Sequence, residues 1–91
     1  MNRLEAEVEI CNQLGLHLRA AAAFAKLAER FDSEITLERG SMSANGKSVI
    51  ALVTLAAAKG MRVRVVAEGD DAEAAVGALV ELIANRFGEE Q

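Results

Sequence analysis

Hydrophobic and polar residues alternate in three stretches of the chain, and each alternation predicts a β-strand with one buried face. These stretches are residues 3–10, 33–39 and 61–68. In the first of them Leu4 and Val8 point to the side that becomes buried, and the glutamates between them point to solvent. A shorter return strand is predicted at residues 41–44, directly after a turn at Gly40. The chain is therefore expected to contain four strands.

Three other stretches carry apolar residues at the spacing of an α-helix, which collects them on one face. These stretches are residues 18–31, residues 48–59 and the segment between Asp70 and Gly88. Gly60 and Gly88 are predicted to end the second and third helices, because glycine readily adopts the left-handed conformation found there. Asp70 and Asp71 favour the start of the third helix, where carboxylates are stabilising.

The resulting order, β-α-β-β-α-β-α, indicates an α+β fold. Each strand has one apolar face, so three helices should cover one side of a four-stranded, mostly antiparallel sheet, as in an open-faced sandwich. The length of 91 residues suits a single domain over residues 1–91. The first six elements also match a ferredoxin-like fold.

Charge favours one of these two folds over the other. The outward faces of the first and second strands are acidic, whereas the outward face of the fourth strand carries Arg62 and Arg64. Opposite charges paired across neighbouring strands contribute roughly 0.2–1 kcal/mol each. The fourth strand is therefore expected between the first and the second, and a ferredoxin-like order would place it at an edge.

Composition excludes several classes of function. The formal net charge is −4 and the chain has no Trp or Tyr, so it lacks the basic face and stacking rings of a nucleic-acid-binding domain. One cysteine, Cys11, cannot form an internal disulfide and fits a cytoplasmic protein. We expect neither membrane insertion nor secretion, because no apolar run is long enough to span a bilayer and residues 1–10 lack the apolar region of a signal peptide. We expect a monomer with no cofactor. A zinc site is also not expected, because one His and one Cys do not make a zinc ligand set.

The only histidine, His17, lies at the start of the first predicted helix. A helix start offers free backbone N–H groups and the positive end of the dipole, which bind phosphate and disfavour protonation of an imidazole. A neutral imidazole is a nucleophile, and the guanidinium of Arg19 matches phosphate oxygens. These residues favour a site that accepts a phosphoryl group. The alternative is that His17 only helps to start the helix and Arg19 is solvated.

The stretch NQLGLHLRAAA around His17 resembles the active-site segment of HPr, the histidine-containing phosphocarrier of the phosphoenolpyruvate-dependent sugar phosphotransferase system. SEITLERG, NGKSVIALVTLAAAKG and AEGDDAEAAVGALVELIANRFGEE resemble later HPr segments in the same order. The resemblance implies the HPr fold, with the fourth strand between the first and second. It also implies that enzyme I phosphorylates His17 on Nδ1, that Arg19 stabilises the group, and that a IIA domain receives it. Ser48 matches the serine that an HPr kinase/phosphorylase modifies in some lineages.

The second predicted helix has almost no polar face. Leu52, Leu55 and Ala56 are expected to face the sheet, which leaves a second apolar stripe on the helix. Such a stripe usually marks a partner surface, although core packing or a dimer contact would also explain it. In HPr the matching residues dock against enzyme I and the IIA domains. The expected docking residues are Leu18, Ile50, Val53 and Ala57, with Lys26 and Lys47 at the rim.

One residue departs from the HPr motif Gly-Leu-His-x-Arg-Pro-Ala, since Ala20 stands at the position of the proline. Alanine has a high helix propensity, so the helix is still expected to form. The departure leaves open whether the chain serves sugar transport or a nitrogen-related or regulatory pathway. Two other functions remain: a regulatory HPr-like protein that acts mainly by binding targets, and a ferredoxin-like ligand-sensing module in which His17 is incidental.

Overall fold

A computed structural model describes residues 2–91 and contains four strands and three α-helices in the predicted order. The elements are β1 (Arg3–Glu9), α1 (Leu18–Ala28), β2 (Glu34–Arg39), β3 (Met42–Asn45), α2 (Val49–Thr54), β4 (Arg62–Glu68) and α3 (Ala72–Ala84). A single 3-10 turn, Arg86–Gly88, follows α3. The predicted α+β class and the order of elements are confirmed.

The four strands form one antiparallel sheet in the order β1-β4-β2-β3. The fourth strand thus lies between β1 and β2, as the charge pattern predicts. On the outward face, Arg62 Nε donates to Glu7 Oε1 at 2.8 Å, and Arg64 Nε donates to Glu38 Oε1 at 2.9 Å. A ferredoxin-like order is excluded, and with it the ligand-sensing module built on that fold.

The hydrophobic core lies between the sheet and the helices. Phe24 of α1 and Leu79 of α3 are completely buried, as are Leu37 and Val65 from the two central strands. Leu4 and Met61 are exceptions among the strand positions predicted to point inward, because Leu4 lies near the end of β1, Met61 directly precedes β4, and both are exposed. Burial of this set provides the main driving force for folding and holds α1 in a fixed position on the sheet.

The second helix is shorter than predicted, since α2 ends at Thr54 rather than at Lys59. Ala56 has a φ of +52°, a left-handed conformation that interrupts the helical repeat. The next carbonyl, that of Ala57, accepts a hydrogen bond from the N–H of Leu16 instead of continuing the helix. As a result Ala57 is buried and Ala56 is exposed, the reverse of the expectation from an unbroken helix.

Asp71 joins the start of α3 to the start of β2. It is the N-cap residue of α3, but its carboxylate accepts hydrogen bonds from the Ser33 hydroxyl and from the N–H groups of Asp32 and Ser33. The bond from the Ser33 hydroxyl, followed by that from the Asp32 N–H, lowers the pKa of the Asp71 carboxyl despite an opposing effect of burial. Asp71 therefore marks the helix start as predicted and also ties α3 to the sheet.

Candidate functional site

Gly15 and Leu16 hold the loop that leads into α1. The Leu16 N–H donates to the carbonyl oxygen of Ala57 at 2.8 Å, and the Leu16 side chain is buried. Gly15 has a φ of +69°, and a Cβ at this residue would lie 2.6 Å from the same oxygen. Only glycine combines this conformation with so close an approach. Packing against the segment after α2 thus sets the backbone position of the residues that follow.

His17 is the N-cap residue of α1, as its place at the predicted helix start suggests. Its backbone is extended, and its Nδ1 accepts a hydrogen bond from the Arg19 N–H at 3.2 Å. An N-cap side chain satisfies one of the free N–H groups of the first helical turn in this way. Because Nδ1 accepts, it carries a lone pair and no proton. This lone pair lies at the positive end of the α1 dipole.

The other ring nitrogen of His17 contacts a carboxylate from the far end of the sequence. His17 Nε2 lies 2.5 Å from Glu89 Oε2. An ionised carboxylate only accepts hydrogen bonds, so the proton of the ring is on Nε2. The partners of its two nitrogens therefore assign the neutral tautomer of His17 that has the proton on Nε2 and none on Nδ1.

Asn12 holds the second oxygen of Glu89. Asn12 Nδ2 donates to Glu89 Oε1 at 3.0 Å and to the carbonyl oxygen of Gly15 at 2.8 Å. Asn12 is completely buried, and only 16% of the Glu89 side chain is exposed. Burial by itself would raise the pKa of the Glu89 carboxyl. The pKa nevertheless lies below its ordinary value. Hydrogen bonds from Asn12 and His17, together with the positive charge of Arg19, outweigh burial.

Arg19 lies at the open side of the site. Its Nε is 3.8 Å from Glu89 Oε2, and 75% of its side chain is exposed. An exposed arginine pays little desolvation to turn toward another anion, and its fork of N–H donors fits phosphate oxygens. The structure thus brings Arg19 and His17 together, as the sequence predicts.

Apolar side chains are exposed on the loop before α1, at the start of α1 and on α2. Leu18 follows His17 directly and is 67% exposed, and Ile50 on α2 is 79% exposed. Val53, one turn after Ile50, is half-buried, and α2 packs against α1. Leu14 is 65% exposed and lines a shallow cleft together with Arg19 and Glu89. The name docking surface is used below for these four apolar residues: Leu14, Leu18, Ile50 and Val53.

One residue expected on the docking surface is buried, and the two lysines expected at its rim differ in their surroundings. The prediction for Ala57 is wrong, because α2 ends at Thr54 and the Ala57 side chain turns into the core. Lys47 is half-buried, and its Nζ donates to the carbonyl oxygen of Phe31 at 2.7 Å. Lys26 is exposed, but it lies about 13 Å along α1 from His17, at 1.5 Å per residue.

Ser48 is the N-cap residue of α2, as the sequence suggests. Its Oγ accepts a hydrogen bond from the Ala51 N–H at 3.2 Å. The side chain is half-exposed and lies two residues before Ile50. Ser48 therefore starts α2 and borders the docking surface.

Sequence reasoning missed three residues of this site, namely Asn12, Leu14 and Glu89. No spacing pattern connects Glu89 with His17, which is 72 residues away. A weak signal was present for Asn12 alone, because asparagine often bonds to the backbone near a turn, here at Gly15. Contact with Glu89 depends on the path of the chain after α3.

Residues 2–91 contain neither a cluster of metal ligands nor a membrane-spanning helix. No group of three or more His, Cys, Asp or Glu side chains in this range is arranged to hold a metal ion. Over the same residues, no helix has the length and apolar character needed to cross a membrane.

Comparison with known proteins gives a consistent result over nearly the whole chain. A family model described as "PTS HPr component phosphorylation site" matches residues 4–85. The phosphocarrier protein NPr of Shewanella violacea is 43% identical over 89 residues, which cover 98% of each chain. The phosphocarrier protein HPr of Pseudomonas aeruginosa is 45% identical over 84 residues, covering 91% of this chain and 93% of the relative. A crystal structure of HPr-C-His from Thermoanaerobacter tengcongensis superimposes with a TM-score of 0.91 at 43% identity, covering 97% and 99% of the two chains.

Proposed function

Because this chain belongs to the HPr family of phosphocarrier proteins of the phosphotransferase system, we propose that it carries its phosphoryl group on His17. It accepts the group from enzyme I and passes it to a IIA domain of the sugar or nitrogen-related system. The observation that supports His17 most directly is the arrangement of its ring nitrogens. Nδ1 carries no proton and accepts only the Arg19 N–H at the start of α1, and its partner Glu89 assigns the ring proton to Nε2.

The proposed transfer needs no general base. The lone pair of His17 Nδ1 attacks the phosphorus of the group on enzyme I, and a new N–P bond forms while the bond to enzyme I breaks. The electron pair of the broken bond returns to enzyme I, and Nε2 of His17 keeps its proton. The Arg19 N–H, which now bonds to Nδ1, and the Arg19 guanidinium then bind the phosphoryl oxygens. Transfer to the IIA domain repeats these steps with His17 as the donor.

We assign contact with both partners to the docking surface around His17. Its four apolar side chains are exposed or half-buried, and a cluster of this kind in a small domain marks a protein contact. Lys26 remains a proposed rim residue, because its charge is exposed on α1. Enzyme I and the IIA domain would use this surface in turn, since each must reach the same nitrogen.

A reconstituted relay tests the proposed function. Enzyme I, labelled phosphoenolpyruvate and this protein are incubated together, and a sugar-system IIA or a nitrogen-related IIA is then added. We expect acid-labile label on this protein first, and then on the IIA domain of the pathway it serves. The IIA domain labelled faster identifies that pathway. Lack of label on this protein, with an enzyme I that labels another HPr in parallel, would refute the proposal.

The substitution Ile50→Glu tests the docking surface. We expect it to weaken the interaction with enzyme I about tenfold, because an exposed apolar anchor is replaced by a charge that the contact must desolvate. The measurement is the Michaelis constant for this protein in the phosphorylation assay, with thermal unfolding as a check of the fold. Ala74→Glu is the matched control, since Ala74 is exposed in the first turn of α3. Equal Michaelis constants for the two variants would contradict the assignment of Ile50.

We further propose Ser48 as a regulatory phosphorylation site for an HPr kinase/phosphorylase. A phosphoserine adds about −1.5 to −2 charge at neutral pH, and this charge would oppose apolar contact at Ile50. Acid-stable phosphate on a peptide containing Ser48 would support the assignment, and phosphate found only on other serines would refute it. In keeping with the sequence analysis, we propose that the protein acts as a cytoplasmic monomer.

A further inference from the structure

We propose that Glu89 is a positioning residue: its carboxylate holds the ring proton of His17 on Nε2 and so keeps the lone pair of Nδ1 available to the phosphoryl group. Its consequence for transfer rests on the proposed function of His17. The tautomer of His17 can be measured without any transfer, so the two proposals can fail separately.

The contacts form a continuous chain from the loop backbone to the ring. The Gly15 carbonyl and Glu89 Oε1 both accept from Asn12 Nδ2, and Glu89 Oε2 accepts from His17 Nε2 at 2.5 Å. The side-chain amide of Asn12 cannot be flipped, because both partners of Nδ2 are hydrogen-bond acceptors and would repel the amide oxygen in its place. Asn12 is also completely buried. The orientation of the Glu89 carboxylate is therefore set from the side opposite to His17.

The path of the backbone after α3 places Glu89 beside the ring. Arg86, Phe87 and Gly88 have φ values of +59°, +55° and +82°, so three consecutive residues are left-handed. Two of them have side chains, for which this conformation is unfavourable, and such strain persists only where other contacts compensate for it. The Phe87 side chain provides one such contact, because it is buried in the core. The turn ends at Glu89, which is extended and points at His17.

A carboxylate at Nε2 suits both directions of transfer. When Nδ1 bonds to phosphorus, the ring becomes a cation with its proton on Nε2, and the negative charge of Glu89 stabilises that cation. When the phosphoryl group is transferred to the IIA domain, the N–P bond breaks and its electron pair returns to Nδ1. If Nε2 still holds its proton, the leaving group is a neutral imidazole. Arg19, now 3.8 Å from the same carboxylate, is exposed and free to bind the phosphoryl group.

Glu89→Gln gives a direct test, because Asn12 dictates how the new amide must lie. Asn12 Nδ2 requires an acceptor, so the amide turns its oxygen to Asn12 and its NH2 group to His17 Nε2. Nε2 must then accept a hydrogen bond, which moves the ring proton to Nδ1 and opposes the Arg19 N–H. We expect nitrogen-15 spectra at about pH 8.5, well above the ordinary titration range of imidazole, to show this inverted tautomer. We expect phosphoryl acceptance to slow by about 10-fold to 100-fold, as when outer partners of other functional histidines are removed.

Three further variants separate positioning from a structural effect. Glu90→Gln is the matched control, since Glu90 is the exposed neighbour, and it should leave both the tautomer and the rate unchanged. Glu89→Ala should slow transfer less than Glu89→Gln, because it removes the carboxylate without placing a donor against Nε2. In an Asn12→Ala background, Glu89→Gln should lose much of its effect, because its amide is then free to turn its oxygen to His17.

Each outcome bears on the proposal. An inverted tautomer in Glu89→Gln, with slower transfer that is relieved in the Asn12→Ala background, supports a positioning role. A wild-type tautomer and rate in Glu89→Gln would overturn it. A slower rate with an unchanged tautomer would also overturn it, because Glu89 would then act through stability or docking. If the wild type itself accepts no phosphoryl group, the proposed function fails while the spectra still decide the role of Glu89.

Discussion

We expect Gly15→Ala to destabilise the protein by about 2–5 kcal/mol and to slow phosphoryl transfer to His17. The estimate combines the strain of a left-handed conformation for alanine, about 1–2 kcal/mol, with the cost of a forced contact in a packed region, about 1–3 kcal/mol. The methyl group would lie 2.6 Å from the Ala57 carbonyl oxygen and 3.0 Å from Ala58 Cα, and neither is the end of a flexible side chain. The backbone must therefore shift, and the shift displaces the N-cap of α1 two residues later.

Urea unfolding at neutral pH measures this effect, and Gly40→Ala provides its control. Gly40 is also left-handed, with a φ of +59°, but a Cβ at this residue meets no atom within 4 Å. We expect Gly40→Ala to cost about 1–2 kcal/mol from the backbone alone and to leave transfer unchanged. Equal loss of stability in the two variants would show that the contact between Gly15 and Ala57 does not hold the loop.

The strand order was predictable because the outward-facing residues of neighbouring strands carry opposite charges. Arg62 and Arg64 lie on a strand whose two neighbours present glutamates, and the observed pairs with Glu7 and Glu38 follow from that pattern. His17 was predictable for a similar reason, since the start of an amphipathic helix is visible as the onset of a 3.6-residue repeat. Helix α1 begins at Leu18 even though Ala20 replaces the proline of the HPr motif.

The end of α2 was not predictable from periodicity. The run from Leu52 to Ala58 is apolar except for Thr54, so an unbroken helix and a helix that stops at Thr54 fit it equally well. The choice depends on the Leu16 N–H, which takes the Ala57 carbonyl as its acceptor. That hydrogen bond joins distant parts of the chain, so a helical pattern does not reveal it. The prediction from periodicity therefore placed Ala57 on the exposed face of α2, whereas it is buried.

The contact between Glu89 and His17 was unpredictable for a related reason. It depends on three left-handed residues, only one of which is a glycine, and on burial of Phe87. Neither Arg86 nor Phe87 marks a left-handed turn in a sequence, because both favour other conformations. Local preferences thus predicted the elements and the place of His17 at the start of α1, whereas the contact of His17 with the Glu89 carboxylate depends on tertiary packing.

We expect His17→Ala and His17→Asn to abolish phosphoryl acceptance, with a fall of at least about 10³-fold, since each removes the proposed nucleophile. The two variants should differ in stability. Alanine leaves the Arg19 N–H without its N-cap acceptor, which costs about 1 kcal/mol, whereas asparagine is a favourable N-cap residue and can accept that hydrogen bond. His17→Asn therefore separates loss of the nucleophile from loss of the helix cap.

The most direct test of the central claim is to locate the phosphoryl group on the wild-type protein. Nitrogen-15-labelled protein is incubated with enzyme I and phosphoenolpyruvate, and phosphorus-31 and nitrogen-15 spectra are recorded beside those of His17→Asn. We predict one phosphoryl group, bonded to Nδ1 of His17 and absent from His17→Asn. A group on Nε2, a group on another residue, or a group that persists in His17→Asn would contradict the account.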